Sequence, residues 1–179
     1  MHDSNLPASL KDAVPDFASW IDGGRDKGNM TAIEVVKTRG GDSFTVFAKS
    51  GLAGDDDDDL YEEEVADHFS TNLAVETWQN GKGSMASSCK SDGFAWDVMN
   101  GETLDFADVG GPSWTINQDH SKWAIAQNNG KDPKSPIVCV GGINRQTSQE
   151  SRGGGTACRP AKKLWNDLDA AMKTIEDCK

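Results

Sequence analysis

His120 and Lys122 are the residues whose types and spacing can do chemistry, because they stand two positions apart in the segment Asp119-His120-Ser121-Lys122-Trp123. The surrounding sequence predicts a β-strand over 115–126, and side chains alternate across a strand, so both residues would project from the same face. There, a neutral imidazole can attack phosphorus, and the ammonium group can bind the non-bridging oxygens of a phosphate. Alone, this spacing is a weak signal, because a surface histidine with a lysine two residues later also occurs by chance.

A second predicted strand, 137–141, leads into residues that fit the same chemistry. It runs into Gly141-Gly142-Ile143-Asn144-Arg145, where glycine allows a backbone to come close to a ligand. The side-chain amide of Asn144 can then donate a hydrogen bond to a phosphate oxygen. Further along, Glu150 can orient a histidine through a hydrogen bond, although a plain surface glutamate fits the sequence nearly as well.

The hydrophobic pattern predicts the elements that must position these residues. Two runs rich in β-branched and aromatic residues, 31–38 and 43–49, flank Arg-Gly-Gly-Asp and predict a hairpin. Asp59 with Glu62 three residues later predicts the start of a helix. One face of that helix is apolar and consists of Tyr61, Val65 and Phe69.

The remaining sequence predicts a strand over 72–78, a loop over 84–93 and a glycine-rich turn over 152–156. A final helix is expected to begin at Pro160, since proline suits the first helical turn. Its apolar stripe is predicted to contain Leu164, Leu168, Met172 and Ile175. Strands and helices are interleaved, which predicts an α/β (α+β) fold with a mixed β-sheet flanked by helices.

Composition narrows the classes of partner. The chain has 179 residues, enough for one domain, and its net charge of -11 disfavours a broad cationic nucleic-acid surface without excluding a local basic cleft. No apolar run approaches the roughly 20 residues that a membrane span needs, so no membrane partner is expected. The acidic run in 51–59 fits a solvated loop better than a calcium loop, which needs spaced ligands. Histidine is scarce and no Cys-x-x-Cys pair occurs, so neither a metal site nor a cofactor is expected.

Four cysteines form an even set, which favours two disulfides and an oxidising compartment, with three pairings open on spacing alone. Four buried thiols in a cytosolic protein are the alternative. The N-terminal sequence has no basic segment followed by an apolar one, so we expect no signal peptide there. A removed signal, a start inside a longer chain and a cytosolic protein all fit this pattern. Asn29-Met30-Thr31 is a glycosylation sequon, which is weak evidence for secretion.

A His-x-Lys strand followed by a Gly-Gly-x-Asn strand end resembles the core pattern of the phospholipase D superfamily. The chain further resembles the C-terminal half of the deoxyribonuclease II family, from about residue 14 to its end. The segments that carry this resemblance, in order, are Val14-Pro15-Asp16-Phe17, Phe47-Ala48-Lys49, Asp58-Asp59-Leu60-Tyr61, Thr71-Asn72-Leu73, Gly111-Pro112-Ser113, Asp119-His120-Ser121-Lys122-Trp123, Asn144-Arg145 and Arg152-Gly153-Gly154-Gly155-Thr156-Ala157-Cys158. The resemblance implies a flexible arm over 1–13 and one phospholipase D-like half domain over 14–179.

The resemblance also implies an activity: metal-independent acid endonuclease cleavage of DNA to 3′-phosphate products through a phosphohistidine intermediate. It implies His120 as nucleophile, Lys122 and Asn144 as phosphate ligands and Glu150 as an orienting group. Substrate-binding roles fall to Ser121, Arg145 and Arg152, although either arginine can instead pair with the acidic surface. The implied disulfides are Cys89–Cys178 and Cys139–Cys158, and the implied location is a secreted or lysosome/vacuole-like, oxidising and acidic compartment.

This sequence departs from the family in carrying one His-x-Lys motif where family members, roughly twice as long, carry two that share one site. Neither His2 nor His68 has a lysine two residues later. We favour a homodimer that brings two copies of His120 together, since a twofold interface can place a residue opposite itself. Two such histidines would titrate as a coupled pair and give a bell-shaped, mildly acidic activity profile. The alternatives are a partial copy and a catalytically silent, DNA-binding remnant; phospholipid hydrolysis is a weaker one.

Overall fold

A nine-stranded mixed β-sheet forms the centre of the described part of the chain in the computed structural model, which describes residues 8–13, 31–51, 59–80, 82–115, 117–128 and 133–178. The strands are β1 (Thr31–Lys37), β2 (Ser43–Lys49), β3 (Asn72–Glu76), β4 (Val98–Asp105), β5 (Ser113–Thr115), β6 (Trp123–Gln127), β7 (Ile137–Gly141), β8 (Gly154–Pro160) and β9 (Met172–Ile175). The helices are α1 (Ala8–Ala13), α2 (π-helical Leu60–Ala66 continuing as α-helical Asp67–Phe69), α3 (Thr147–Glu150) and α4 (Lys162–Ala171). Short 3₁₀ turns occupy Lys90–Asp92 and Ala107–Val109.

The strand order is β1-β2-β8-β7-β6-β3-β4-β5, with β9 also pairing with β4. The β3–β4 pair is parallel, while the other pairs are antiparallel. The structure therefore confirms the predicted α+β class with a mixed sheet. The order also places the beginning of β6 next to the ends of β3 and β7, which is where the candidate site lies.

Helices cover both faces of the central strands. In β3, Leu73 and Val75 pack into a core beneath α2, which also contains Tyr61 and Val65. Ala74 points the other way, into a second core that contains Trp165 of α4. Strand β3 is consequently buried along its whole length, and residues on its two faces meet different neighbours.

Several predicted elements are confirmed in this structure. The hairpin forms with Thr31 opposite Lys49 and Lys37 opposite Ser43. Asp59 caps α2, because its Oδ1 accepts a hydrogen bond from the backbone N–H of Tyr61 at 3.0 Å. The helix begins with π-helical turns, a geometry that the capping pattern does not predict.

The predicted strand over 115–126 is wrong, because strand β6 begins only at Trp123 and residues 117–122 form a loop. Both His120 and Lys122 therefore precede the strand. The Asp119 side chain accepts hydrogen bonds from the backbone and hydroxyl of Ser121, both at 2.8 Å. Such local side-chain bonds compete with strand pairing and favour a turn.

The C-terminal prediction also needs correction. The final helix ends at Ala171, and its predicted continuation through Met172 to Ile175 is strand β9. Pro160 is the last residue of β8 and not the first of the helix, which begins at Lys162. The glycine-rich segment predicted as a turn is part of β8 from Gly154 onward. Leu164 is exposed, whereas Leu168, Met172 and Ile175 pack against the second core beside buried Trp165, so Leu164 alone departs from the predicted stripe.

Two disulfides confirm the pairing that the resemblance implied. Cys89–Cys178 ties the loop before β4 to the C-terminus across 89 residues of sequence. Cys139–Cys158 joins directly paired positions of β7 and β8. Asn144 follows β7, and Arg152 precedes β8. The second disulfide therefore fixes the two strands that flank these residues.

Some predictions concern residues outside the described ranges. These are the acidic loop, whose residues 52–58 are not described, the sequon at Asn29 and most of the predicted arm over 1–13. Within that arm the structure describes only α1, so the division at residue 13 stays a prediction. Among the described residues, no helix is both long enough and apolar enough to cross a membrane.

We predict that Gly155→Ala destabilises the protein by about 1–3 kcal/mol, the usual cost of overpacking. A Cβ atom at residue 155 would collide with the backbone carbonyl oxygen of Phe47 on the paired strand β2. Gly142→Ala is the matched control, because nothing lies within 4 Å of its added Cβ atom. Chemical denaturation checks both variants, and equal midpoints for the two would contradict this account of the β2–β8 contact.

Candidate functional site

The loop over 117–122 presents His120 at the edge of the sheet. Its shape comes from the two hydrogen bonds that Ser121 donates to Asp119, and from the carbonyl oxygen of Lys122, which accepts from the N–H of Gly141 at 2.8 Å. The bond between Gly141 and Lys122 fastens the loop to the end of β7. Ser121 thus has a role within the turn, and its contact with substrate stays a prediction.

The indole ring of Trp78 packs against the imidazole of His120. The two rings are stacked with centroids 4.2 Å apart and planes inclined by 24°. The indole Nε1 donates to the carbonyl oxygen of Asn117 at 3.0 Å, which links the platform to the start of the loop. Sequence reasoning missed Trp78; an aromatic residue at the end of a predicted strand was the available signal.

Asn144 reaches the same group of residues. Its Oδ1 accepts from the backbone N–H of Trp78 at 3.3 Å, so the structure brings Asn144, Trp78 and His120 together. This Oδ1 bond assigns the amide nitrogen Nδ2 as the donor that a ligand can use.

Lys122 lies beside a second cation. Its Nζ donates to the carbonyl oxygen of His120 at 2.6 Å, so the side chain folds back over the loop. Partial burial lowers the pKa of Lys122; the negative charge of Asp119 opposes this effect, and the positive charge of Arg152 adds to it. Arg152 is exposed and donates to Gln149 Oε1 at 3.1 Å. Lys122 is thus influenced by one anionic and one cationic side chain.

Glu150 lies on the far side of Asn144. It is buried, it closes the short helix α3, and it lines a small pocket together with Asn144 and Lys49. The Nζ of Lys49, itself buried, donates to the backbone carbonyl oxygen of Glu150 at 2.6 Å. The structure thus places Glu150 with Lys49 and Asn144, and an orienting role toward histidine remains a proposal.

The predicted substrate-binding role of Arg145 is wrong, because this side chain is only 1% exposed. Its Nε bonds to Asp59 Oδ2 at 2.6 Å. Its two terminal nitrogens donate to Asn100 Oδ1 at 2.6 Å and to Ser88 Oγ at 2.9 Å. A buried guanidinium needs such a set of hydrogen-bond partners. These bonds connect α2 to the loop before β4, and because the side chain is buried, Arg145 is closed to DNA.

A cavity of about 510 Å³ lies at the opposite end of β3, β6 and β7. Its lining includes Asn72, Lys90, Trp96, Gln127 and Lys134 but none of the site residues named above. The candidate site is therefore separate from this cavity and lies at the other end of the strands. Among the described residues, no group of three or more histidine, cysteine or carboxylate side chains is placed to hold a metal ion.

Comparison with known proteins agrees with the resemblance. Residues 1–178 match the family model of deoxyribonuclease II, so the chain belongs to the deoxyribonuclease II family. The match includes the segment before residue 14, where the resemblance in the sequence was expected to begin.

Individual relatives show similar coverage. The chain is 34% identical over 181 residues to deoxyribonuclease-2-alpha of Rattus norvegicus, covering 99% of the chain and 48% of that protein. It is 38% identical over 182 residues to deoxyribonuclease-2 of Caenorhabditis elegans, covering 99% and 44%. It is 33% identical over 179 residues to plancitoxin-1 of Acanthaster planci, covering 99% and 47%. The chain thus spans about half the length of the curated relatives it matches.

Proposed function

We propose that the chain is a metal-independent endonuclease that hydrolyses DNA phosphodiesters, with His120 as nucleophile. The observation that carries the proposal is the imidazole of His120 stacked on Trp78, with the Nζ of Lys122 bonded to the carbonyl oxygen of His120. Relatives named deoxyribonuclease-2 support DNA as the substrate. The two disulfides, which fit an oxidising compartment, support a secreted or lysosome/vacuole-like location.

In the proposed reaction a ring nitrogen of His120 attacks phosphorus, and the bond from phosphorus to the 5′ oxygen breaks. The leaving 5′ oxygen takes a proton from a second histidine, and the upstream fragment stays covalently attached to His120 through its 3′ phosphate. Water then attacks the phosphohistidine, the second histidine removes the water proton, and a 3′-phosphate is released. Lys122 and Arg152 stabilise the charge on the non-bridging oxygens, and Asn144 donates a hydrogen bond to one of them.

The second histidine is proposed to be His120 of another copy. The sequence contains one His-x-Lys motif, and a twofold interface would place two such loops face to face. One histidine must then be neutral while the other is protonated, which favours mildly acidic conditions. The rival proposal is a catalytically silent fragment or a DNA-binding remnant of a deoxyribonuclease II.

The activity is tested with supercoiled plasmid in excess EDTA at about pH 5, a mildly acidic condition of the kind that the two-histidine mechanism favours. Nicked DNA whose ends a polymerase extends only after phosphatase treatment is the expected product, because such ends carry 3′-phosphates. Nicking that requires a divalent metal would contradict the proposal. Binding of DNA without nicking, at every protein concentration, would favour the silent remnant.

The dimer is tested by mixing the wild type with an excess of His120→Ala chains. If two copies build one site, mixed dimers hold a single His120, and specific activity falls as the inactive chain is added. Specific activity of the wild type alone should rise with protein concentration over the range in which sedimentation shows dimers forming. Activity that is independent of both mixing and concentration would exclude a shared site.

We predict that Trp78→Ala lowers the nicking rate by about 2–10-fold, since ring stacking contributes about 0.5–1.5 kcal/mol. Trp78→Phe keeps a ring beneath His120 but loses the Nε1 hydrogen bond to Asn117, and we expect it to retain most of the rate. Single-turnover kinetics on an oligonucleotide checks both. Equal losses in the two variants would show that the hydrogen bond matters and the stacking does not.

A further inference from the structure

Glu76 is a buried carboxyl group at the end of β3, with 0% of its surface exposed. Neither of its carboxyl oxygens has a hydrogen-bond partner among the described residues. Its Oε2 occupies space left by Gly101 on the neighbouring strand β4, where a Cβ atom would lie 2.8 Å from that oxygen. An ionised carboxylate in such surroundings is unfavourable, because burial without partners penalises the charge.

Among the residues that the structure describes, the neighbours of Glu76 give it no compensating positive charge. Strand β4 contributes Gly101, β9 contributes Met172 beside it, and β6 contributes Trp123, which pairs directly with Glu76. The loop over 117–122 contributes Asp119, whose negative charge acts on Glu76. Burial first, and Asp119 second, raise the pKa of Glu76 from its ordinary 4.5 to about 8.

Asp119 connects this carboxyl group to the candidate site. The Asp119 side chain accepts both hydrogen bonds that hold the turn on which His120 stands. On the other side, Trp78 follows Glu76 by two residues and stacks on the His120 ring. A negative charge at residue 76 would therefore repel the Asp119 carboxylate, which shapes the loop that carries His120.

We propose that Glu76 is a positioning residue for His120, which keeps the 117–122 loop in its observed form while its carboxyl group is protonated and loosens the loop once it ionises. The proposed effect of Glu76 on the loop is argued from the structure and does not depend on the proposed function. Its consequence for DNA cleavage rests on the proposed function.

The proposal fixes the sign of a stability effect. The folded state holds a proton on Glu76 up to about pH 8, whereas the unfolded chain loses it near pH 4.5. Between these values the folded state binds more protons than the unfolded state, so stability contributed by this group falls as the pH rises. Below about pH 4.5 both states are protonated and the group has no differential effect.

The test compares the wild type with Glu76→Gln, a neutral group of the same shape as the protonated acid. Denaturation midpoints are measured from about pH 5 to about pH 9, together with amide hydrogen exchange of residues 117–122. Glu102→Gln is the control, since it removes a carboxylate at an exposed position of β4. We expect the wild type and Glu102→Gln to lose midpoint and loop protection toward high pH, and Glu76→Gln to keep both.

Direct titration of the Glu76 carboxyl carbon by NMR in the wild type needs no variant and covers the case in which Glu76→Gln does not fold. Ionisation of Glu76 below about pH 5, or the same pH dependence in Glu76→Gln and the wild type, would overturn the proposal. Near pH 5 we expect Glu76→Gln to cleave DNA within about twofold of the wild type; a folded but inactive variant would also overturn it. A wild type without nuclease activity refutes the proposed function alone, because titration and exchange still report on Glu76.

Discussion

His120→Ala is expected to slow DNA nicking by about 10³-fold or more, since loss of the nucleophile removes the covalent pathway. The loop should keep its form in this variant, because its hydrogen bonds run between Asp119, Ser121 and Lys122 without the imidazole. Single-turnover rates in EDTA measure the effect. The fold of the variant is checked by its denaturation midpoint, which we expect to stay close to that of the wild type.

His68→Gln is the matched control for this variant. His68 is exposed on α2, where its ring contacts Phe47 and Phe69 edge-on, and it belongs to no His-x-Lys motif. We expect His68→Gln to retain the wild-type rate. A loss of similar size in both variants would show that the rate responds to histidine replacement in general and not to the site around His120.

Arg145→Met is expected to reduce the free energy of unfolding by about 3–5 kcal/mol, the usual result of breaking a buried ion pair from one side. The substitution leaves Asp59 as an unpaired buried carboxylate and removes the donors that satisfy Asn100 and Ser88. Urea denaturation at neutral pH measures the loss. Arg39→Met, at the exposed hairpin turn, should change the value by less than about 0.5 kcal/mol.

A double-mutant cycle separates the ion pair from its surroundings. Asp59→Asn keeps an oxygen that can accept from Tyr61 and removes the charge that faces Arg145. If the pair is coupled as the structure indicates, the combined variant should differ from the sum of the single variants by more than about 1 kcal/mol. Additive effects would mean that Arg145 stabilises the fold through its neutral partners alone.

Sequence patterns predicted the hairpin and the α2 cap well, because both depend on local spacing. The segment around His120 was predicted as a strand, whereas the structure has a loop there. Its β-like composition is real, but Asp119 supplies a local hydrogen-bond acceptor that closes a turn before β6 can begin. The end of α4 was missed for a different reason, since Met172–Ile175 has a helical pattern yet pairs with β4.

In the candidate site, too, local sequence patterns predicted some residues, and others depend on contacts that the fold makes. His120, Lys122 and Asn144 were selected from residue type and motif, and the structure places His120 and Asn144 in contact with Trp78. Arg145 was misassigned because its neighbour Asn144 lies at the site, whereas its own side chain turns into the core to meet Asp59, a residue 86 positions away in sequence. Glu76 gave no sequence signal, because its significance depends on burial and on the charge of Asp119.

The most direct test of the central claim is to trap the covalent intermediate on His120. DNA labelled at its 5′ end is mixed with the protein and quenched in alkali within one turnover, since phosphohistidine survives base better than acid. The account predicts label retained on the protein and located, after proteolysis, on the peptide that contains His120, with none retained by His120→Ala. Cleavage without any retained label, or label on a different residue, would contradict it.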